Sequence, residues 1–109
     1  MNADTSSFGR AIASARKRKG MSQKTLAGLI AKEDGAPITQ QYLNDIEHDR
    51  RSPSSDHLVR QFATVLGISE DVLYWLAGKL PSADRRQPVT QERIEQAFRA
   101  FRRNLKGEE

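Results

Sequence analysis

The sequence predicts an all-α fold: five helices around one core and a further helix near the C-terminal end. Three observations carry that prediction. Apolar residues recur at spacings of three and four through most of the chain, and no stretch alternates β-branched and polar residues over the length of a strand. Ser, Thr, Gly and Pro stand where such helices should begin and end. At 109 residues the chain has room for one small core and an appended element, not for two independent cores.

The first helix is expected from about Ser7 to Lys19, burying Phe8, Ala11, Ile12 and Ala15. Arg16 to Lys19 put positive charge at its carbonyl end, read as a wet helix end or a binding patch, and Gly20 stops it. Ser22 caps a second helix running to Lys32, with Leu26, Ala27 and Ile30 inside and Gln23 in the exposed first turn. Residues 33–37 break the pattern. Thr39 caps a third helix from Gln40 to about His48; Leu43, Ile46 and part of Tyr42 face inward, and Gln40, Gln41 and Asn44 face outward.

After the polar loop 49–53, Ser54 or Ser55 opens a fourth helix that buries Leu58, Val59, Phe62, Ala63 and Leu66 and closes at Gly67. Ser69 caps a short fifth helix bearing Val72, Leu73, Trp75 and Leu76, with Trp75 and Phe62 expected in the core. Residues 81–88, polar and bounded by prolines, read as a linker between a 7–80 domain and a last helix over 89–106. Thr90 caps that helix, and Ile94, Ala97, Phe98, Phe101 and Leu105 form an apolar stripe on an otherwise charged element. The stripe must be covered, either by the five-helix core or by a second subunit, and pairing as a homodimer through this helix or the fifth is expected.

Composition narrows the function. Hydrophobic residues at 37% and charged residues at 29% describe a water-facing globular chain, and the absence of cysteine excludes disulfides, thiolate chemistry and Cys-ligated metal. No apolar run approaches the roughly 20 residues that span a bilayer, and the first seven residues lack signal-peptide character, so a cytoplasmic protein with no membrane association is expected. Catalysis is not expected. There are two histidines, and Asp45, Glu47, His48 and Asp49 fan around a helix instead of converging on a metal; no phosphate cradle, zincin pattern or serine elbow is present, and no cofactor is expected. The net charge of +4 is unevenly placed: +5 over residues 1–24 (six bases, one acid), −4 over 25–84 (five and nine) and +3 over 85–109 (seven and four). A polyanion partner must therefore be met by a defined surface, with Glu33, Asp34, Glu70 and Asp71 expected to lie away from it.

Two short helices around a break, the second carrying exposed amides, form a helix-turn-helix pattern. Residues 21–27 (Met-Ser-Gln-Lys-Thr-Leu-Ala), 38–47 (Ile-Thr-Gln-Gln-Tyr-Leu-Asn-Asp-Ile-Glu) and Arg51-Ser52-Pro53 followed by Leu58, Ala63 and Leu66 together resemble the Cro and phage-repressor type (XRE-like) DNA-binding domains of prokaryotes and phages. The resemblance covers about residues 8–80. One departure is the connection over residues 31–37, about six residues longer than the family's usual tight turn. A branch of the family shares that longer link, the Tyr-Leu-Asn-Asp-Ile-Glu recognition helix, a Leu-Ala-Gly like Leu76-Ala77-Gly78, and a C-terminal helical extension.

The resemblance implies a transcription regulator on double-stranded DNA. Gln40 and Gln41 would read base edges, because a carboxamide pairs a donor and an acceptor that match adenine N6 and N7, with Asn44 as third reader. Asp45 has no clear role in that scheme. Backbone phosphates would be met by Ser22, Gln23, Lys24, Thr39, Tyr42, His48, Arg50 and Arg51, with Arg18 and Lys19 ranked lower. A dimeric repressor on an inverted repeat is the expected function; the competing expectation is a protein-interaction module on the same fold, such as an antitoxin or regulator partner. An inducing signal would arrive through a protein partner such as an antirepressor, or through proteolysis.

Overall fold

The computed structural model describes residues 4–53 and 55–107, and among these the regular structure is helical, with one isolated β-bridge between Ala31 and Pro37. The helices are α1 (Phe8–Arg18), α2 (Gln23–Leu29), α3 (Gln40–Glu47), α4 (Asp56–Leu66), α5 (Glu70–Ala77), α6 (Ser82–Arg85) and α7 (Gln91–Leu105). Hydroxyl caps set most of their starts. Ser7, Ser22, Thr39, Ser55 and Thr90 each accept from the backbone N–H three residues on, at 3.0–3.2 Å, each worth about 1 kcal/mol. The cap of α4 is thus Ser55; Ser54, its alternative, lies outside the described residues. Ser69 occupies the cap position of α5 without a side-chain bond, and the acidic Glu70 and Asp71 serve its positive end instead.

Ile12, Leu26, Ile30, Leu43, Ile46, Val59, Phe62 and Leu73 are fully buried, and the Phe8 and Phe62 rings meet edge to face at 6.1 Å. The inward faces of the first four helices are those the periodicity predicts. Ile38 and Ile68 also join the core from connections, where no helical spacing flags them.

Three expectations are corrected. First, α2 stops at Leu29, not Lys32. Ile30 turns extended (φ −99°, ψ 112°) to reach the core, and its carbonyl accepts from the Ile38 N–H at 3.0 Å. The residues between fold into a small loop closed by Lys32 N–H to Ala36 carbonyl, 2.8 Å. α4 pins it: Ala31 N–H donates to Gln61 Oε1 at 3.1 Å, and His57 Nε2–H donates to the Ala31 carbonyl at 2.9 Å. The longer link is therefore an excursion closed on itself and tied to α4 by these hydrogen bonds.

Second, Trp75 is 56% exposed and outside the core, while Tyr74 is buried. Two residues after the inward Leu73, Trp75 projects from the opposite side of α5. Its indole meets Phe101 of α7 at 5.5 Å between ring centroids. Third, the expected linker contains α6, whose start is fastened to α4: Asp56 Oδ2 accepts from the Ser82 N–H (2.8 Å) and hydroxyl (2.7 Å), and Lys79 Nζ pairs with Asp56 Oδ1 at 2.9 Å.

Those partners, Lys79 first, hold the Asp56 carboxyl well below its ordinary pKa of 3.8. A carboxylate whose pKa falls on folding stabilises the fold above its unfolded value and loses that contribution as pH drops through the folded one. Stability is expected to decline as pH falls below about 4, and Asp56→Asn should be less stable near neutrality with a shallower acid-side decline. Urea midpoints of both proteins at neutral and acidic pH check this; parallel pH profiles would contradict it.

Candidate nucleic-acid interface

The end of α3 is locked to the start of α1. Arg50 N–H donates to the Asp45 carbonyl (2.9 Å) and Asp49 N–H to the Ile46 carbonyl (3.0 Å), the paired bonds of a Schellman turn. Its left-handed position, normally glycine's, is Asp49 (φ 59°). The carboxylate gives the reason: Oδ1 accepts from the Gly9 N–H (2.9 Å) and Oδ2 from the Ser7 hydroxyl (2.7 Å), so Asp49 serves as a second cap for α1. Gly9 permits the approach. An added Cβ there would collide with the Ile46 carbonyl oxygen and lie 2.7 Å from both the Glu47 carbonyl oxygen and Asp49 Oδ1.

Beneath α3 runs a polar network. Arg16 donates from Nε (2.7 Å) and Nη2 (2.9 Å) to the two oxygens of Glu47 and from Nη1 to the Met21 carbonyl (2.9 Å). Both side chains are nearly buried, 11% and 3% exposed. Arg16 is thus neither a wet helix end nor part of a binding patch. The bond to Glu47 raises the Arg16 pKa despite its partial desolvation, so the guanidinium keeps its charge.

Gln23 Nε2 extends this network, donating to Glu47 Oε1 (3.0 Å) and Asn44 Oδ1 (3.1 Å). Gln23, Gln40, Gln41 and Asn44 line one shallow depression, so the three expected base readers and the first residue of α2 share a surface. Gln40 and Gln41 are exposed there, and Asn44 is half-buried. With both amide hydrogens of Gln23 turned inward, its outward side-chain group is an acceptor. A phosphate contact at this position therefore falls to the backbone N–H groups of Gln23 and Lys24, left free at the start of α2.

The remaining expected residues lie on α2 and α3, at their starts, or at and just beyond the end of α3. His48 Nδ1–H donates to the Asn44 carbonyl at 2.8 Å, so its exposed Nε2 donates outward only when the ring is protonated. The Arg51 guanidinium lies over the half-buried Tyr42 ring, 5.6 Å from its centroid. Arg50 pairs with Asp45 at 3.0 Å. Ser22, Lys24 and Thr39 are exposed at the starts of α2 and α3.

One charge expectation is corrected: Glu33 and Asp34 border a groove with Thr39, Tyr42 and Arg51, beside the start of α3 and not away from it. Arg10, which the sequence does not single out, joins the site with Lys17 of the Arg16 to Lys19 run: both flank a depression with Gln23 and His48. Their seven-residue separation places them on one helix face, and the +5 charge of residues 1–24 was the available signal. Among the described residues no group of acidic or histidine side chains is placed to hold a metal, and no helix is long and apolar enough to cross a membrane.

Compared with known proteins, residues 12–73, more than half of the chain, match the helix-turn-helix family. Neither the curated proteins nor the solved structures give a match. The family span runs from α1 into α5 and takes in the capped α2, the amide-bearing α3 and the network that joins them. The chain belongs to the helix-turn-helix family of the Cro and phage-repressor type, and is a DNA-binding regulator.

Proposed function

We propose that the protein is a dimeric, sequence-specific repressor that lays α3 of each subunit in the major groove of an inverted-repeat operator and occludes polymerase. The observation that carries this reading is the gathering of Gln40, Gln41 and Asn44 on one outward surface above a rigid support. Gln40 and Gln41 each offer adenine a donor and an acceptor, and Asn44 contributes its free NH2 group. Backbone N–H groups at the start of α2, with Ser22, Lys24, Thr39, Tyr42, His48 and Arg51, fix the register on phosphates, and Arg10 and Lys17 add charge at the rim.

Pairing falls to α7. Ile94, Phe98, Phe101 and Leu105 remain 43–58% exposed, and Ala97 is exposed beside them, although Trp75 already touches Phe101. Burying that stripe against its copy joins two domains, and a two-fold pair spaces its recognition helices by about 34 Å, one DNA turn. The 7–80 domain, the 81–88 connection and the 89–106 helix then divide the work into reading, spacing and pairing.

Gln40→Ala and Gln41→Ala should each weaken a selected site by about 1–3 kcal/mol and random duplex far less. Titration of labelled duplexes checks this; equal losses on both would move the residue to the phosphate class. The mass of the saturated complex tests the dimer, which one chain per operator would rule out.

A further inference from the structure

We infer that Asp45 and Arg50 act as one reading element for guanine beside the carboxamides, with Gln41 oriented by the same carboxylate; this rests on the DNA-reading role proposed for α3. Asp45 lies one turn beyond Gln41 on the outward side of the helix, where a bare carboxylate would face phosphates and base acceptors. It is not bare. Asp45 Oδ1 accepts from Gln41 Nε2 at 3.1 Å and Arg50 Nε at 3.1 Å, with Arg50 Nη2 at 3.0 Å.

Arg50 is brought there by its backbone, since the turn at Asp49 returns its N–H to the Asp45 carbonyl at 2.9 Å. Backbone and side chain of Arg50 thus both answer to Asp45. The carboxylate takes the Nε and Nη2 edge of the guanidinium. The opposite edge, Nη1 and the second hydrogen of Nη2, keeps two parallel N–H groups. Guanine presents two acceptors, O6 and N7, to such a fork, whereas adenine opposes it with the N6 donor. Arg50 stands outermost, its side chain 54% exposed against 22% for Asp45.

Gln41 is set by the same oxygen. One hydrogen of Nε2 goes to Asp45, while the other and Oε1 remain, which is the pair that adenine N7 and N6 require. Fixing both side chains before contact lowers the ordering cost of binding. The half-site should therefore contain a G·C pair read by Arg50 near an A·T pair read by Gln41.

The test uses the full chain and duplexes that carry its enriched site with each base pair exchanged singly. Arg50→Lys keeps the charge and loses the fork, so it separates base reading from phosphate contact. Both Arg50→Lys and Arg50→Ala should lose about 5- to 150-fold of discrimination at one G·C position and keep the preferences elsewhere. Asp45→Ala should weaken that preference and the one set by Gln41. Circular dichroism confirms that these surface variants are folded. A wild-type site without a G·C preference, or a profile unchanged in Arg50→Lys with Arg50→Ala weakening all duplexes alike, overturns this inference alone. A wild-type chain that distinguishes no duplex overturns the DNA-reading role as well.

Discussion

Replacing Arg16 by Met is expected to lower the unfolding free energy by about 3–5 kcal/mol, a large part of the roughly 5–15 kcal/mol that holds a small domain folded. The loss comes from what remains. Glu47 is left in a site 3% exposed, with Gln23 as its remaining side-chain donor, and the Met21 carbonyl loses its partner. Glu47→Met should cost a similar amount through the stranded guanidinium. The double variant Arg16→Met with Glu47→Met should recover much of either loss, because removing both charges removes both desolvation penalties. Urea unfolding of the four proteins reads the cycle; additive losses would show that the pair does not act as a unit. The effect extends to the interface, since the same Glu47 oxygen that anchors Arg16 also holds Gln23 against Asn44.

Gly9→Ala should destabilise the protein by about 1–3 kcal/mol, although Ala is the better helix former by about 1 kcal/mol. The new methyl meets the carbonyl oxygens of Ile46 and Glu47, backbone atoms that cannot rotate aside, so α1 and α3 must separate and Asp49 must release the start of α1. Gly28 in α2 supplies the control. A Cβ there meets nothing within 4 Å, so Gly28→Ala should stabilise by about 0.5–1 kcal/mol. Thermal unfolding of the two variants should shift in opposite directions, and a stabilised Gly9→Ala protein would show that α1 and α3 do not approach so closely.

Much of the fold was legible because it is written locally. The hydroxyl caps Ser22, Thr39, Ser55 and Thr90 and the three-and-four spacing of Phe8, Ile12, Leu43, Ile46, Leu58 and Phe62 mark helix starts and inward faces without reference to the rest of the chain. The misses arise where the packing of the core decides what a local pattern leaves open. Ile30 leaves the helix to join the core and pair with Ile38, and a helical pattern cannot register that choice. Trp75 reads as core by its size, but the angular position of Leu73 fixes which side of α5 faces inward.

The site divides in the same way. Its outward amides follow from the helical period of α3, so Gln40, Gln41 and Asn44 could be named from the sequence and do lie together. What holds them could not. Arg16 and Glu47 are 31 residues apart, and Ser7 and Asp49 are 42 apart. A charged residue in the last turn of a helix looks solvated until its partner is seen.

The central claim is that the surface of α3 reads DNA sequence. Selection of duplexes from a random pool with the full-length chain, followed by sequencing of the enriched sites, tests it most directly. The account predicts one motif with two-fold symmetry, half-sites about one helical turn apart, and binding that weakens steeply as salt rises. A pool that remains random after repeated rounds would contradict it.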